Sequence, residues 1–224
     1  MSGMAAYSTT GAGSTFATAA AVSYGGDYGV TAALENTATP QHAMDNFGST
    51  DAILLNFSNS VILKQLTVGW AAYDSDISVL RYTGVGAPVL AGKTIAQALS
   101  SGWVSVGNYE TVAGESQTDG GGNNSTVTAI NAGNGSSSWW LISAYSSGYG
   151  GTNTGSVGDG SGLYNSGSYD YVKLFQVGGD KAPGSVPEPG SLALVAAALL
   201  GGFAIRRRAP GLVASGPLRG VVPA

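Results

Sequence analysis

Val61-Ile62-Leu63-Lys64-Gln65-Leu66-Thr67-Val68-Gly69-Trp70 reads as a β-strand with one buried face. Val61 and Leu63 share one face, and Leu66, Val68 and Trp70 share a face in the opposite phase. The phase slips between Leu63 and Leu66, which predicts a bulge or an edge bend there. Just upstream, Asp51-Ala52-Ile53-Leu54-Leu55-Asn56-Phe57 is an apolar run of strand length. Downstream, Ile77-Ser78-Val79-Leu80-Arg81-Tyr82 is a further strand, closed by Thr83-Gly84.

Working outward, the same pattern recurs. Ser23–Val30 opens the domain with glycine-rich turning, and strands are expected at Trp103–Tyr109, Ser125–Ile130, Ser138–Tyr145 and Tyr169–Val177. The single convincing helix ahead of the C-terminal region is Thr94–Gly102, with a Thr cap and a Gly stop. About eight strands separated by turn residues predict an all-β domain, an antiparallel β-sandwich or jelly roll. Gly, Ser, Asn and Tyr dominate Ser146–Ser168, which reads as a long exposed loop.

Composition supports an extracellular β-domain. Only 10% of the 224 residues are charged, 36 are Gly and none is Cys, so neither disulfides nor thiolate chemistry are available. Ahead of Val186 there are five Lys and Arg against twelve Asp and Glu, a difference of −7. An acidic body repels nucleic acid and anionic lipid and argues against both as partners. Met1–Ala21 (1–21) reads as a lead-in with no basic n-region or long apolar h-region, so an export signal is expected upstream of it. The ectodomain is assigned to 22–177 and a Gly/Pro linker to 178–185.

The end of the chain has another character. Val186-Pro187-Glu188-Pro189-Gly190 precedes the uncharged run Leu192–Ile205, and Arg206-Arg207-Arg208 follow. Leu and Ala favour helix, which satisfies its own backbone groups as hydrocarbon requires. A helix over Gly190–Ile205 would reach roughly 24 Å, against an apolar slab of about 30 Å, a short span that thins the bilayer or snorkels at its ends. Three arginines hold the following end in the cytoplasm and put Met1–Ser185 on the far side. The alternative is a buried core helix closing a soluble domain, but such a helix rarely lacks a polar face and then ends in three arginines. Pro187 and Pro189 exclude helix and keep Glu188 extended. The tail 209–224 is uncharged except for Arg219 and reads as disordered.

This ordered triple at 186–208 resembles the PEP-CTERM sorting signal of bacteria. The resemblance implies export, a transient inner-membrane anchor, cutting at the motif by the membrane protease exosortase, and a final place at the cell surface or in extracellular matrix. Such signals usually stop soon after the arginines; here sixteen residues follow Arg208. Pro40–Asn46, Asp51–Leu55 and Asp74–Gly84 also resemble the XDP1-type exosortase-dependent surface proteins, in outline over Tyr24 to Val177. That likeness implies a location and a β-rich ectodomain and carries no catalytic activity.

Chemistry is sparsely signalled. His42 is the single histidine, and no Gly-x-Ser-x-Gly elbow accompanies it, so a serine-type triad is disfavoured and no enzyme activity is expected. One His and no Cys also disfavour zinc. Gly120-Gly121-Gly122 lacks the Lys of a phosphate loop. Asp45, Asp51, Asp74 and Asp76 are candidate calcium ligands if their two loops meet at one end of the domain; otherwise these aspartates cap turns. No other cofactor is called for. Trp139 and Trp140 are adjacent, so in a strand one faces in and one out. The outward one, with Tyr145, Tyr149 or Tyr164, is a candidate platform for stacking on sugar rings. A structural or interaction protein of the surface is therefore the first reading, a carbohydrate-binding module associated with exopolysaccharide the second, and an unrecognised hydrolase the third.

Overall fold

The computed structural model describes residues 1–9, 15–32, 35, 42–111, 127–158 and 169–183. They form strands β1 (Gly3–Thr9), β2 (Phe16–Tyr24), β3 (Asp27–Thr31), β4 (Met44–Asp45), β5 (Asp51–Tyr73) and β6 (Ile77–Tyr82). Helix α1 (Ile95–Ser100) follows, then β7 (Trp103–Tyr109), β8 (Val127–Ala129), β9 (Ser137–Ala144), β10 (Asn153–Thr154) and β11 (Asp170–Lys181). Hydrogen bonding runs in the order β10-β7-β6-β9-β5-β1-β2-β3-β11-β4, with β8 also on β5. Because β11 pairs with β5 as well, the path β5-β1-β2-β3-β11 returns to its start. All these pairings are antiparallel except β10 with β7.

The long strand β5 organises the rest. Its two expected pieces, Asp51–Phe57 and Val61–Trp70, are parts of one strand of 23 residues. Laid straight, that strand would reach roughly 75 Å. Yet its ends lie close together. Asp45 pairs with Tyr171, Tyr171 pairs with Ala72 near the end of β5, and Asp45 groups with Asp51 at the start of β5. The strand therefore folds over. The turning point is where its pairing with β9 jumps from Asn56↔Trp139 to Val61↔Ser137, beside the exposed Ser58, Asn59 and Ser60. After the fold-over, Ile53 and Leu55 of the first half share a core with Leu63, Leu66, Val68 and Ala71 of the second.

The first half of β5 is buried on both faces. Ile53 and Leu55 point into that main core, whereas Ala52 and Leu54 join a second one with Leu90, Ala98, Trp103 and Tyr149. Two covered faces explain a continuous apolar run where a half-exposed strand would alternate. Each buried Leu or Ile contributes about 2 kcal/mol. The phase slip further along is a bulge: consecutive Gly178 and Gly179 oppose Gln65 and Leu63, leaving Lys64 as the extra residue.

Local chemistry closes the other elements. Between β2 and β3, Tyr24 pairs with Asp27, and the two intervening residues, Gly25 and Gly26, have φ of 64° and 108°. A two-residue hairpin turn demands that left-handed backbone at both positions, which glycine adopts without strain. At α1, Gln97 N donates to Thr94 Oγ1 (3.2 Å) and Thr94 N donates to Gln97 Oε1 (2.9 Å), a reciprocal capping box.

Two sequence expectations are corrected. Residues 178–181 of the expected linker 178–185 are strand, because β11 runs to Lys181 and pairs there with Gln65 to Val61 of β5. Met1–Ala21 is not a lead-in outside the domain, because β1 and most of β2 lie within it and β1 pairs with β5 from Gly3↔Asn56 to Ser8↔Asp51. Alanine-rich Gly-Met-Ala-Ala-Tyr and Phe-Ala-Thr-Ala-Ala-Ala have weak strand propensity, and pairing with a buried neighbour overrides it. In the expected loop Ser146–Ser168 the described residues, 146–158, hold a 3₁₀ turn at Ser147–Tyr149 and the short β10; residues 159–168 lie outside the described residues. The chain divides into two compact units, Met1–Ala182 and Pro183–Ala224.

Candidate functional site

The fold-over of β5 gathers carboxylates. Asp51 opens β5, Asp74 and Asp76 stand in the short connection from β5 to β6, Asp170 opens β11, and Asp45 ends β4. They form two groups, each with ligand oxygens within 4.8 Å of one another: Glu35, Asp45 and Asp51 in one, Asp74, Asp76 and Asp170 in the other. The two loops expected to hold one ion thus meet at one end of the domain but divide the four predicted aspartates between two groups. Asn46 ties the groups together. Its Nδ2 donates to Asp170 Oδ2 (2.5 Å) and to the Tyr145 carbonyl (3.1 Å), and its Oδ1 accepts from Asp170 N (2.8 Å).

The groups differ in how their lone pairs are used. In the second, Asp170 Oδ1 accepts from Asp76 N (2.7 Å), Asp74 Oδ1 accepts from Ser75 N (2.8 Å), and Asp76 Oδ2 accepts from Gly158 N (2.5 Å). Only the Asp74–Ser75 bond is the local cap that aspartate commonly makes; the other two tie β11 to the β5–β6 connection and that connection to the segment after β10. In the first, Asp45 Oδ1 accepts from Phe47 N (2.9 Å) and Glu35 Oε2 accepts from Ala32 N (2.6 Å). Asp51 stands apart. It is wholly buried, and neither carboxylate oxygen has a hydrogen-bond partner among the described residues. The hydroxyl of Ser8, its pairing partner on β1, and the Asp45 N–H lie near enough to moderate it, but neither closes a hydrogen bond of normal geometry, and the hydroxyl is directed to Ser49 Oγ and the Thr9 carbonyl.

Burial and mutual repulsion raise these acids. Asp51 is pushed up to about 8, chiefly by burial, with Glu35 adding to the rise. Asp45 is likewise raised to about 8 by burial and then by the charge of Asp51. Asp170 rises to about 9 through burial and the charge of Asp76. A buried carboxylate keeps its proton unless a cation replaces it. Glu35 and Asp170 had no individual signal in the sequence. Asp170 announces itself only as a charge opening an otherwise apolar strand, and Glu35 only as one of twelve scattered acids.

The aromatic pair resolves as strand geometry requires. Trp140 is entirely buried and its Nε1 donates to the Ser137 carbonyl (3.0 Å), so it cannot stack on a ligand and leaves the list of surface candidates. Tyr149 is also buried and leaves it too; Tyr164 lies outside the described residues. Trp139 remains. It is half-buried and lines a surface concavity of about 580 Å³ with Ser60, Arg81, Tyr82, Ser137 and Ser138. A second groove, about 680 Å³, lies between the Asn46–Thr50 turn and the start of α1. His42 is buried with its ring 4.3 Å from that of Tyr24, a packing position.

Val186, Pro187, Glu188, Pro189, the apolar run Leu192–Ile205 and Arg206, Arg207 and Arg208 lie outside the described residues. Among the described residues no helix is long and apolar enough to cross a membrane. No curated protein matches this chain. The family model for the PEP-CTERM protein-sorting motif matches residues 185–208, directly after the first compact unit ends at Ala182. The chain therefore carries a PEP-CTERM sorting motif, which marks it as an exported surface protein processed by an exosortase.

Proposed function

We propose that Met1–Ala182 is a non-catalytic surface domain of structural or interaction type, delivered by the motif behind it. The observation that carries this reading is the juxtaposition of a self-contained, acidic β-unit with a sorting motif beginning at residue 185. Release at the cell surface or into extracellular matrix requires only a body that folds by its own core and a disposable address. The fold-over of β5 supports a two-layered sandwich, since it lets the two halves of one strand face each other across a core. The narrower likeness to XDP1-type proteins agrees with such a body. Mass spectrometry of the protein recovered from the cell surface tests the proposal: a C-terminus within or beside Val186–Pro189 is expected. Full-length chain retained in the cytoplasm would refute it, and hydrolysis of any member of a broad glycan, ester and peptide panel would refute the absence of catalysis.

A second reading has its own observation. Trp139 offers a partly exposed ring beside Arg81, Tyr82 and serine hydroxyls in one concavity, the mixture of aromatic face and hydrogen-bonding groups that holds a sugar. On this reading the protein binds exopolysaccharide. Retention on polysaccharide beads by wild type and its loss in Trp139→Ala would support it. Equal retention of both proteins removes Trp139, and no retention of either removes the reading.

A further inference from the structure

We propose that Glu35, Asp45 and Asp51 form a calcium site that the folded domain builds where the start of β5 meets β4. Three observations carry it. The first is distance. A calcium ion takes oxygen ligands at about 2.4 Å, so oxygens bound to one ion lie no more than about 4.8 Å apart. One oxygen from each of the three side chains satisfies that bound. The second is the state of Asp51. Its carboxylate is wholly buried, and both oxygens lack a hydrogen-bond partner among the described residues. A buried group of this kind is costly unless something meets it. The third is sign. The charges acting on Asp45 are Asp51 and Glu35, both negative, so its neighbours repel it and do not neutralise it.

The donor set selects the ion. All three ligands are carboxylates, with no Cys in the chain, which suits a hard cation and not zinc or copper. Glu35 is only partly buried, so water can reach that side and complete the shell. Six to eight ligands in adaptable geometry describe calcium, whereas magnesium demands a strict octahedron and keeps most of its waters. Asp45 is held for the task by the Phe47 N–H on one oxygen, and Asp51 by its strand pairing with Ser8. In the neighbouring group each of Asp74, Asp76 and Asp170 accepts a backbone N–H bond, from Ser75, Gly158 and Asp76, so it has no counterpart of Asp51, both of whose oxygens lack one.

The consequence is an environmental requirement. Sites of extracellular modules fill at about 0.1–1 mM calcium, far above the levels sensed by cytosolic calcium proteins. The domain would gain this ion only after export, and its stability would rise there by mass action.

The test uses the full chain stripped with EDTA. Calcium chloride is titrated while the melting temperature is followed, and terbium binding is read in parallel by luminescence sensitised through nearby tyrosine. In wild type the melting temperature should climb as calcium passes about 1 mM, and magnesium at the same concentration should do much less. Asp51→Asn and Glu35→Gln should each abolish most of the calcium shift and the terbium signal. Asp51→Asn should melt no lower than wild type in EDTA at neutral pH, because asparagine is neutral without having to take up a proton. Asp170→Asn should keep the calcium response. A wild type indifferent to calcium would overturn the proposal. So would a full response in both Asp51→Asn and Glu35→Gln, or a response lost in Asp170→Asn and kept in the other two.

Discussion

Asp170→Asn should make the calcium-free protein more stable at neutral pH and less stable in acid. Asp170 is buried between Asp74 and Asp76, and its carboxyl is raised from 3.8 to about 9 by burial and by the charge of Asp76. A carboxyl raised on folding binds more protons in the native state than in the unfolded one. Its contribution is intact below about pH 3.8 and is lost as pH climbs towards 9. At pH 7 the interval above 3.8 corresponds to about 4 kcal/mol of stability given up by the wild type. Asparagine imitates the protonated acid: its amide can donate to Asp74 or Asp76 as the acid proton does. It loses one accepted bond, since its nitrogen must face either Asn46 Nδ2 or Asp76 N, at about 1 kcal/mol. The net effect at pH 7 is about 3 kcal/mol in favour of the variant, or roughly 6–12 °C in melting temperature for a unit of this size. Near pH 4 the order should reverse by about 1 kcal/mol. Thermal or urea unfolding in EDTA, stepped from pH 4 to 8.5, measures both limbs. A wild type whose stability is flat or rises between pH 5 and 8 would refute the reasoning, as would a variant that is weaker at every pH.

Three further outcomes follow from packing. Trp140→Ala should cost about 3–5 kcal/mol, because it empties a fully buried site and orphans the Ser137 carbonyl, whereas Trp139→Ala should cost under about 1 kcal/mol; urea midpoints separate them. Gly29→Ala should destabilise by at least about 2 kcal/mol or prevent folding, since the added Cβ would overlap the backbone carbonyl of His42; soluble yield and circular dichroism report it. Lys64→Ala should change stability by less than about 1 kcal/mol, because its 2.6 Å pair with Asp180 is half-exposed; equal melting temperatures in low and high salt confirm that the bulge and not the ion pair matters there.

Several features were legible because their causes are local. The helix start needs only Thr94 ahead of its first turn, and the glycine-rich turn needs only Gly25-Gly26 side by side. The bulge at Lys64 was visible because a strand has a period of two, and one extra residue shifts the phase of Leu66 and Val68; Trp70, expected on their face, is turned to the other by a second extra residue, Gly69, and Ala71 takes its place in the main core. That one of Trp139 and Trp140 faces inward followed from the same period. Which one does so depended on what lies across the sheet. The β1 and β2 segments were misread for the opposite reason: alanine's weak strand preference is a local signal, and pairing with β5 outweighs it.

The sequence by itself determined the β-rich character of the body, its acidity and the sorting motif at 185–208, because composition, period and linear order are properties of neighbours along the chain. Only the tertiary structure decided that β5 doubles back. That one bend places Asp51 beside Asp45 and Glu35, sends Asp74 and Asp76 to Asp170, and leaves the Asp51 carboxylate without a hydrogen bond of normal geometry. A charge's partners are set by distance in space, and residues 35, 45, 51 and 170 become neighbours only when a strand of 23 residues folds over its own core.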